Sequence, residues 1–232
     1  MFADGEVVSQ SKNDQSKPGQ PKFTVKALRA AVETAERHGT YVMAHAYGPA
    51  AVQNCIKAGI RSIEHGNLLD EETIQMMIDH GTFYVPTLFP FDERSIEKGK
   101  KHFDSRTLEK LEIVSHKGKK ALEMAYRAGV KIASGLDILG PEQYLKGREL
   151  ALKAEVMGPM DTIISTTKTN AELINMEGQI GTVESGKIAD LIVIDGNPLE
   201  KMSLFEEGLE KVVFVMKEGK IHKNLLPPNS SS

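Results

Sequence analysis

The chain has 232 residues, 40% hydrophobic and 26% charged, with 29 Lys and Arg against 32 Asp and Glu for a formal net charge of -3. This is globular composition with enough chain for a sizeable core in one domain or two, and it offers neither the basic excess that recruits nucleic acid nor a polybasic patch for a membrane surface. The single cysteine, Cys55, excludes an intramolecular disulfide framework and suits a reducing, cytoplasmic setting, and no run of about 18 apolar residues could cross a bilayer.

The opening MFADGEVVSQ lacks the basic and apolar regions of a signal peptide, and it does not read like the start of a domain. It passes into a polar loop, Ser9 to Lys22, rich in Ser, Lys, Gln, Asn and Pro and expected to be mobile. A helix follows, with Val25, Leu28, Val32 and Ala35 on one face and Thr24 as N-cap. Pro49 suits the first position of a second helix with the stripe Val52, Cys55 and Ile56. Asp70 caps a third, with Ile74, Met77 and Ile78 inward, and Leu108, Leu111, Leu122 and Ala125 mark a longer helical region.

Four stretches share one grammar: HGTYVMAH, AGIRSIEH, HGTFYVPT and AGVKIASG. In each a helix ends at a glycine (Gly39, Gly59, Gly81, Gly129) and a short apolar strand follows, as in a buried parallel sheet. Ala151 with its neighbours and Pro159 to Ile174 predict two further helices. After Met176 the pattern becomes strands and glycine turns, with a hairpin at Glu218-Gly219, and the tail from Leu226 is expected to be disordered. The expected fold class is therefore α/β: βα units over 1–176, a small β segment over 177–225, and a tail over 226–232. An open doubly wound sheet and a (β/α) barrel both satisfy the pattern, and in either the function collects at the carboxyl ends of the strands.

Those ends hold His45, His65, Thr87 and, in the loop Gly135-Leu136-Asp137, Asp137. Imidazole and carboxylate are the usual ligands of a hydrolytic zinc or related divalent ion, and an aspartate beside the attacking water can act as base. One strand-end histidine is more often a hydrogen-bonded packing residue; two at equivalent repeat positions, with an aspartate, favour a metal site. Tyr47 could reach a substrate carbonyl or carboxylate, or simply pack in its loop. Glu64, one residue before His65, is expected on the opposite face as a structural partner, and Asn67 in a local turn role. Arg148 reads as a solvated helix residue and Cys55 as core. His38 and His80 sit at helix ends, His102 and His116 in a charged helical region, and His222 in the terminal hairpin, all structural or solvated. No GxGxxG or phosphate-loop spacing occurs.

Taken in order, VMAHAYGPAAV, AGIRSIEHGNLLD, GTFYVPTL, AGVKIASGLD and GTVESGKIADLIVIDGNPL resemble the amidohydrolase superfamily, in its imidazolonepropionase-like and Xaa-Pro dipeptidase (prolidase-like) branch. The resemblance runs from about Ala3 to His222. It implies a (β/α)8 barrel holding one or two divalent metals, zinc foremost. In that family an HxH pair lies on the first strand, a carboxylated lysine on the fourth, histidines on the fifth and sixth, and an aspartate on the eighth. By motif His45 matches the fifth-strand ligand, His65 the sixth, and Asp137 the aspartate that binds metal and shuttles the proton. The closing strands resemble part of the family's composite β-sandwich. This chain contains no HxH, and the family's GTD reads GLD at 135–137. The expectation is the C-terminal half of the barrel, about four βα units, with an incomplete metal site. The implied activity is metal-dependent hydrolysis of a carbon–nitrogen bond in a dipeptide or other small molecule. The alternative is an inactive half-barrel that dimerises or binds a partner, and homo-oligomerisation is left open.

Overall fold

The fold is that of a computed structural model describing residues 1–5, 7, 16–101, 103–138, 140–206 and 208–227. Of the two segments expected to be mobile, 9–15 and 228–232 lie outside the described residues, as does His102. The chain divides into two compact units, Met1–Asp137 and Ile138–Ser232.

The first unit alternates helix and strand: α1 (Val25–Arg37), β1 (Met43–Ala46), α2 (Pro49–Ala58), β2 (Ser62–His65), α3 (Glu71–His80) and β3 (Phe83–Val85). A 3-10 turn (Phe89–Phe91) leads to α4 (Glu93–Gly99), α5 (Ser105–Ser115) and α6 (Gly118–Ala128), so the long helical region marked by Leu108 to Ala125 is broken into two helices, α5 and α6. The Thr24 hydroxyl accepts from the Ala27 N–H, and the Asp70 carboxylate accepts from the Thr73 N–H, each satisfying a donor the helix cannot. Gly39, Gly59, Gly81 and Gly129 all have positive φ, from 65° to 88°, a conformation that stops a helix and that glycine adopts without steric cost.

Strands β1, β2 and β3 form a parallel sheet in that order, with Met43 opposite Ser62, Ala46 opposite His65, and Glu64 opposite Val85. Single parallel bridges extend it on both sides: Phe2 beside His45, and Ile132 beside Tyr84. Five consecutive parallel positions result, the first and the last each reduced to one bridge. Ala44, Ala46, Ile63 and Tyr84 share one face and are fully buried. Helices α1, α2, α3 and α6 pack in succession, with Leu28, Val52, Ile56, Met77 and Leu122 in the same core. The opposite face carries Met43, His45 and Glu64 and is more open; Met43 is 46% exposed and Phe2, beside His45, 57%.

The second unit begins with a 3-10 stretch (Gly140–Lys146) and the helices α7 (Gly147–Met157), α8 (Pro159–Thr166) and α9 (Lys168–Leu173). Then come β4 (Leu191–Ile194), a 3-10 turn (Met202–Phe205), α10 (Gly208–Lys211), β5 (Val212–Lys217) and β6 (Lys220–Asn224). The three strands make an antiparallel sheet in sequence order. The β5–β6 turn has positive φ at both Glu218 (50°) and Gly219 (74°), the conformation whose twist suits a two-residue hairpin. Lys153 is fully buried in this unit, and its Nζ donates to Ser165 Oγ at 2.8 Å. Among the described residues no helix is long and apolar enough to cross a membrane.

Candidate metal centre

The carboxyl ends of β1 and β2 bring His45 and His65 together, with ring centroids 4.5 Å apart and planes at 74°. Simple alternation would not allow this. His45 pairs with Glu64, so Glu64, and not His65, should share its face. The backbone at His65 resolves the conflict. Its φ of 75° is left-handed, which ends the strand and swings the imidazole round to His45. Glu64 therefore lies on the His45 face, correcting the sequence expectation for that residue. Two buried hydroxyl groups hold the turn. Tyr84 Oη donates to the carbonyls of His65 (3.0 Å) and Gly66 (3.3 Å), and Thr87 Oγ1 bonds His65 Nδ1 at 2.5 Å. When Nδ1 carries the proton, Nε2 keeps its lone pair. That atom lies 3.9 Å from Asp137 Oδ2.

Asp137 also has a left-handed backbone, with φ 55°. Non-glycine residues in this region store of order 1–3 kcal/mol of strain and persist where the surroundings hold them, which is common at functional sites. Its carboxylate is 56% exposed, and partial burial raises its pKa above the usual aspartate range.

Asp4 was not singled out by sequence reasoning. It is fully buried, and its Oδ2 accepts from the backbone N–H of Tyr47 (2.6 Å) and of Gly48 (3.1 Å). It thereby fixes the loop between β1 and α2. Its Oδ1 has no hydrogen-bond partner among the described residues and lies 3.7 Å from His45 Nε2, which also has none. The only sequence signal was an acid directly after the short apolar opening Met1-Phe2-Ala3.

Burial dominates the electrostatics. It lowers His45 to a pKa of about 4 and His65 to about 3, so both are neutral imidazoles near neutral pH. It raises Asp4 to about 7, partly offset by the N–H groups of Tyr47 and Gly48, and Glu64 to about 7, partly offset by the bond from Ser62 Oγ at 2.6 Å. The Asp137 charge pushes Glu64 the same way as burial does.

The ring of Tyr47 stacks on His65 (5.2 Å, 25°), meets His45 edge-on (4.7 Å, 82°), and joins Val7, Phe91, Leu111 and Val114 in a buried cluster. Asn67 lies, as expected, in a turn closed by the Leu69 N–H on the Gly66 carbonyl, and its Nδ2 also donates to the Val114 carbonyl, 47 residues away. In the second unit Arg148 pairs with Glu206 at 3.0 Å. His38 and His116 follow the ends of α1 and α5, His80 Nδ1 bonds the Met76 carbonyl within α3, and His222 is exposed on β6.

The donor chemistry fits a divalent metal, since both imidazoles are neutral and carboxylates face them. The arrangement is two pairs, His45 with Asp4 and His65 with Asp137. Among the described residues no three His, Cys, Asp or Glu side chains are gathered closely enough to hold an ion on their own.

A family model described as the Amidohydrolase family matches residues 13–223. Ochratoxinase from Aspergillus niger is 30% identical over 224 residues, 96% of this chain and 45% of that protein. A solved prolidase complexed with N-methylphosphonate-L-proline superposes with TM-score 0.89 at 36% identity, over 96% of this chain and 54% of that one. A Xaa-Pro dipeptidase with methionine bound in its active site gives TM-score 0.87 at 35% identity, over 96% and 53%. The chain thus spans about half the length of the relatives it matches.

Proposed function

Because the chain belongs to the amidohydrolase family, we propose that it carries the C-terminal half of a (β/α)8 barrel and, with it, part of the site of a metal-dependent hydrolase of amide or peptide bonds of the Xaa-Pro dipeptidase type. The observation that carries this reading is the His45–His65 pair, with Asp137 beside it, at the carboxyl ends of adjacent parallel strands. Five parallel positions with helices packed in succession support the half-barrel.

His45 and His65 would hold a divalent metal, with zinc the first choice, and Asp137 would complete their side of it. When bound, such a metal polarises the scissile carbonyl and lowers the pKa of water. Asp137 takes a proton from the attacking water and returns it to the leaving amine, a cycle for which a raised carboxyl pKa is suited. Donation from Nδ1–H to Thr87 Oγ1 would fix the His65 ring and leave the Nε2 lone pair for the ion. Tyr47 walls the imidazole pair on one side and excludes water there; whether its hydroxyl also reaches a substrate is read from Tyr47→Phe.

The test is metal content by mass spectrometry beside turnover of a panel of Xaa-Pro dipeptides, N-acyl amino acids and cyclic amides, with zinc and with chelator. With only part of the ligand set present, weak metal uptake and slow turnover are expected, both lost in His45→Ala and His65→Ala. Unchanged metal uptake in the two alanine variants overturns the ligand assignment. Robust turnover with one equivalent of metal overturns the incomplete-site reading.

A second reading, a half-barrel that pairs with a second copy, is favoured by the exposure of Phe2 and Met43 on the His45 face of the sheet. Sedimentation of the purified chain, with Phe2→Ser as comparison, separates a dimer from a monomer.

A further inference from the structure

Among the described residues Asp4 Oδ1 and His45 Nε2 are two buried polar atoms without hydrogen-bond partners, 3.7 Å apart. A buried donor or acceptor left unsatisfied costs about 1–3 kcal/mol, so two such atoms facing each other need an explanation. At 3.7 Å they are too far apart for a hydrogen bond between them. Both carry lone pairs that a cation accepts. Bonds of about 2.1 Å from each to one ion would meet at about 120°, within the range that zinc and cobalt adopt. The Asp4 carboxylate is also anchored, since its other oxygen is held by the Tyr47 and Gly48 N–H groups. A carboxylate held through one oxygen with the other turned to a free imidazole nitrogen has the form of a preorganised ligand.

We propose that Asp4 is itself a metal ligand, its Oδ1 joining His45 Nε2 as a further donor to the divalent cation that His45 and His65 would hold. The inference rests on the metal-site reading above and adds a ligand from the extreme N-terminal segment, which reaches the site because Phe2 pairs with His45 as a neighbouring strand position.

The experiment is cobalt titration of the full chain, followed by calorimetry and by the visible spectrum of the bound ion. Asp4→Asn keeps an amide oxygen for the Tyr47 and Gly48 N–H groups but presents an NH2 to His45, which cannot ligate. It is expected to weaken cobalt binding at least tenfold and, at saturation, to shift the visible bands, while circular dichroism is unchanged. A residue acting only through His45 would weaken binding without moving those bands. Asp4→Cys gives an independent readout that does not depend on the stability of the asparagine variant: a thiolate at position 4 in the coordination sphere produces a near-ultraviolet charge-transfer band. The wild-type chain, whose only thiol is the buried Cys55, should lack that band. Wild-type affinity and spectrum in Asp4→Asn, or no charge-transfer band in cobalt-loaded Asp4→Cys, overturns the role of Asp4 alone. Undiminished binding in His45→Ala, or no cobalt uptake by the wild-type chain, overturns the metal-site reading and this inference with it.

Discussion

Gly66 sits under the turn that carries His65. Its φ is 54°, and a Cβ there would lie 2.6 Å from Tyr84 Cε2 and 3.1 Å from Leu69 Cδ1. Gly66→Ala therefore incurs two costs. The left-handed backbone costs an alanine about 1–2 kcal/mol. Forcing a methyl against a fully buried tyrosine ring adds about 1–3 kcal/mol of overpacking. Gly81 supplies the control, because its φ of 65° is similar and nothing lies within 4 Å of its virtual Cβ. Gly81→Ala should cost only the backbone part. The difference between the two variants, about 1–3 kcal/mol, isolates the close approach of Tyr84. With urea m-values of roughly 1–3 kcal/mol/M, Gly66→Ala should unfold at a midpoint lower than Gly81→Ala by on the order of 1 M. The assay is urea unfolding followed by far-ultraviolet circular dichroism, with m checked for constancy. Equal midpoints would refute the packing of Tyr84 beneath the His65 turn, and with it the account of how that histidine is aimed.

Two further outcomes follow from charged groups. In metal-free protein His45 and His65 bind protons less readily folded than unfolded, so their contribution to stability is present above pH 6.5 and lost as the pH falls towards 4 and 3. Asp4 and Glu64 act in the opposite sense, since their raised values favour the fold at low pH and lose that contribution as the pH rises through about 7. Between pH 4.5 and 6.5 the two effects oppose, and the wild-type urea midpoint should be nearly flat. Asp4→Asn removes one opposing proton, so stability should rise with pH more steeply by up to about 1.4 kcal/mol per pH unit; a profile parallel to wild type would contradict this. In the second unit, burial lowers the pKa of Lys153 while the buried Glu149 raises it. Lys153→Met strands that carboxylate and should cost about 3–5 kcal/mol in a thermal or urea melt, most of it recovered in the double variant with Glu149→Leu; no recovery would show that the two do not act as a pair.

The local grammar of the chain was readable because it depends on near neighbours. Thr24, Asp70 and the glycines that end α1, α2, α3 and α6 act on backbone groups within a few residues, and short apolar runs between them suffice for a parallel sheet. The positions of His45, His65 and Asp137 at strand ends follow from that grammar. What escaped it depends on distant partners or on broken alternation. Asp4 acts on Tyr47 and Gly48, 43 and 44 residues away. Arg148 meets Glu206 across 58 residues, so it is an ion-pair residue and not a solvated one. Glu64 lies on the His45 face against expectation because the two-residue period assumes extended backbone, and His65 departs from it. The apolar run Leu191-Ile-Val-Ile194 forms a strand as expected, and its first three residues are exposed in the second unit, since hydropathy reports what a strand can bury and not whether a neighbour covers it.

The left-handed conformations of His65 and Asp137 bear on how such a protein would respond to selection. Asparagine and glycine tolerate that backbone better than aspartate does. A library sorted for heat resistance alone would therefore enrich Asp137→Asn and Asp137→Gly among its survivors, exchanging the base for a more relaxed loop. Sorting for activity would hold aspartate in place and push compensating changes into the helix-facing core, where they relieve no strain at the site. Parallel selections on one library would thus separate along this single codon, and the direction of drift at position 137 would report whether the carboxylate is in use.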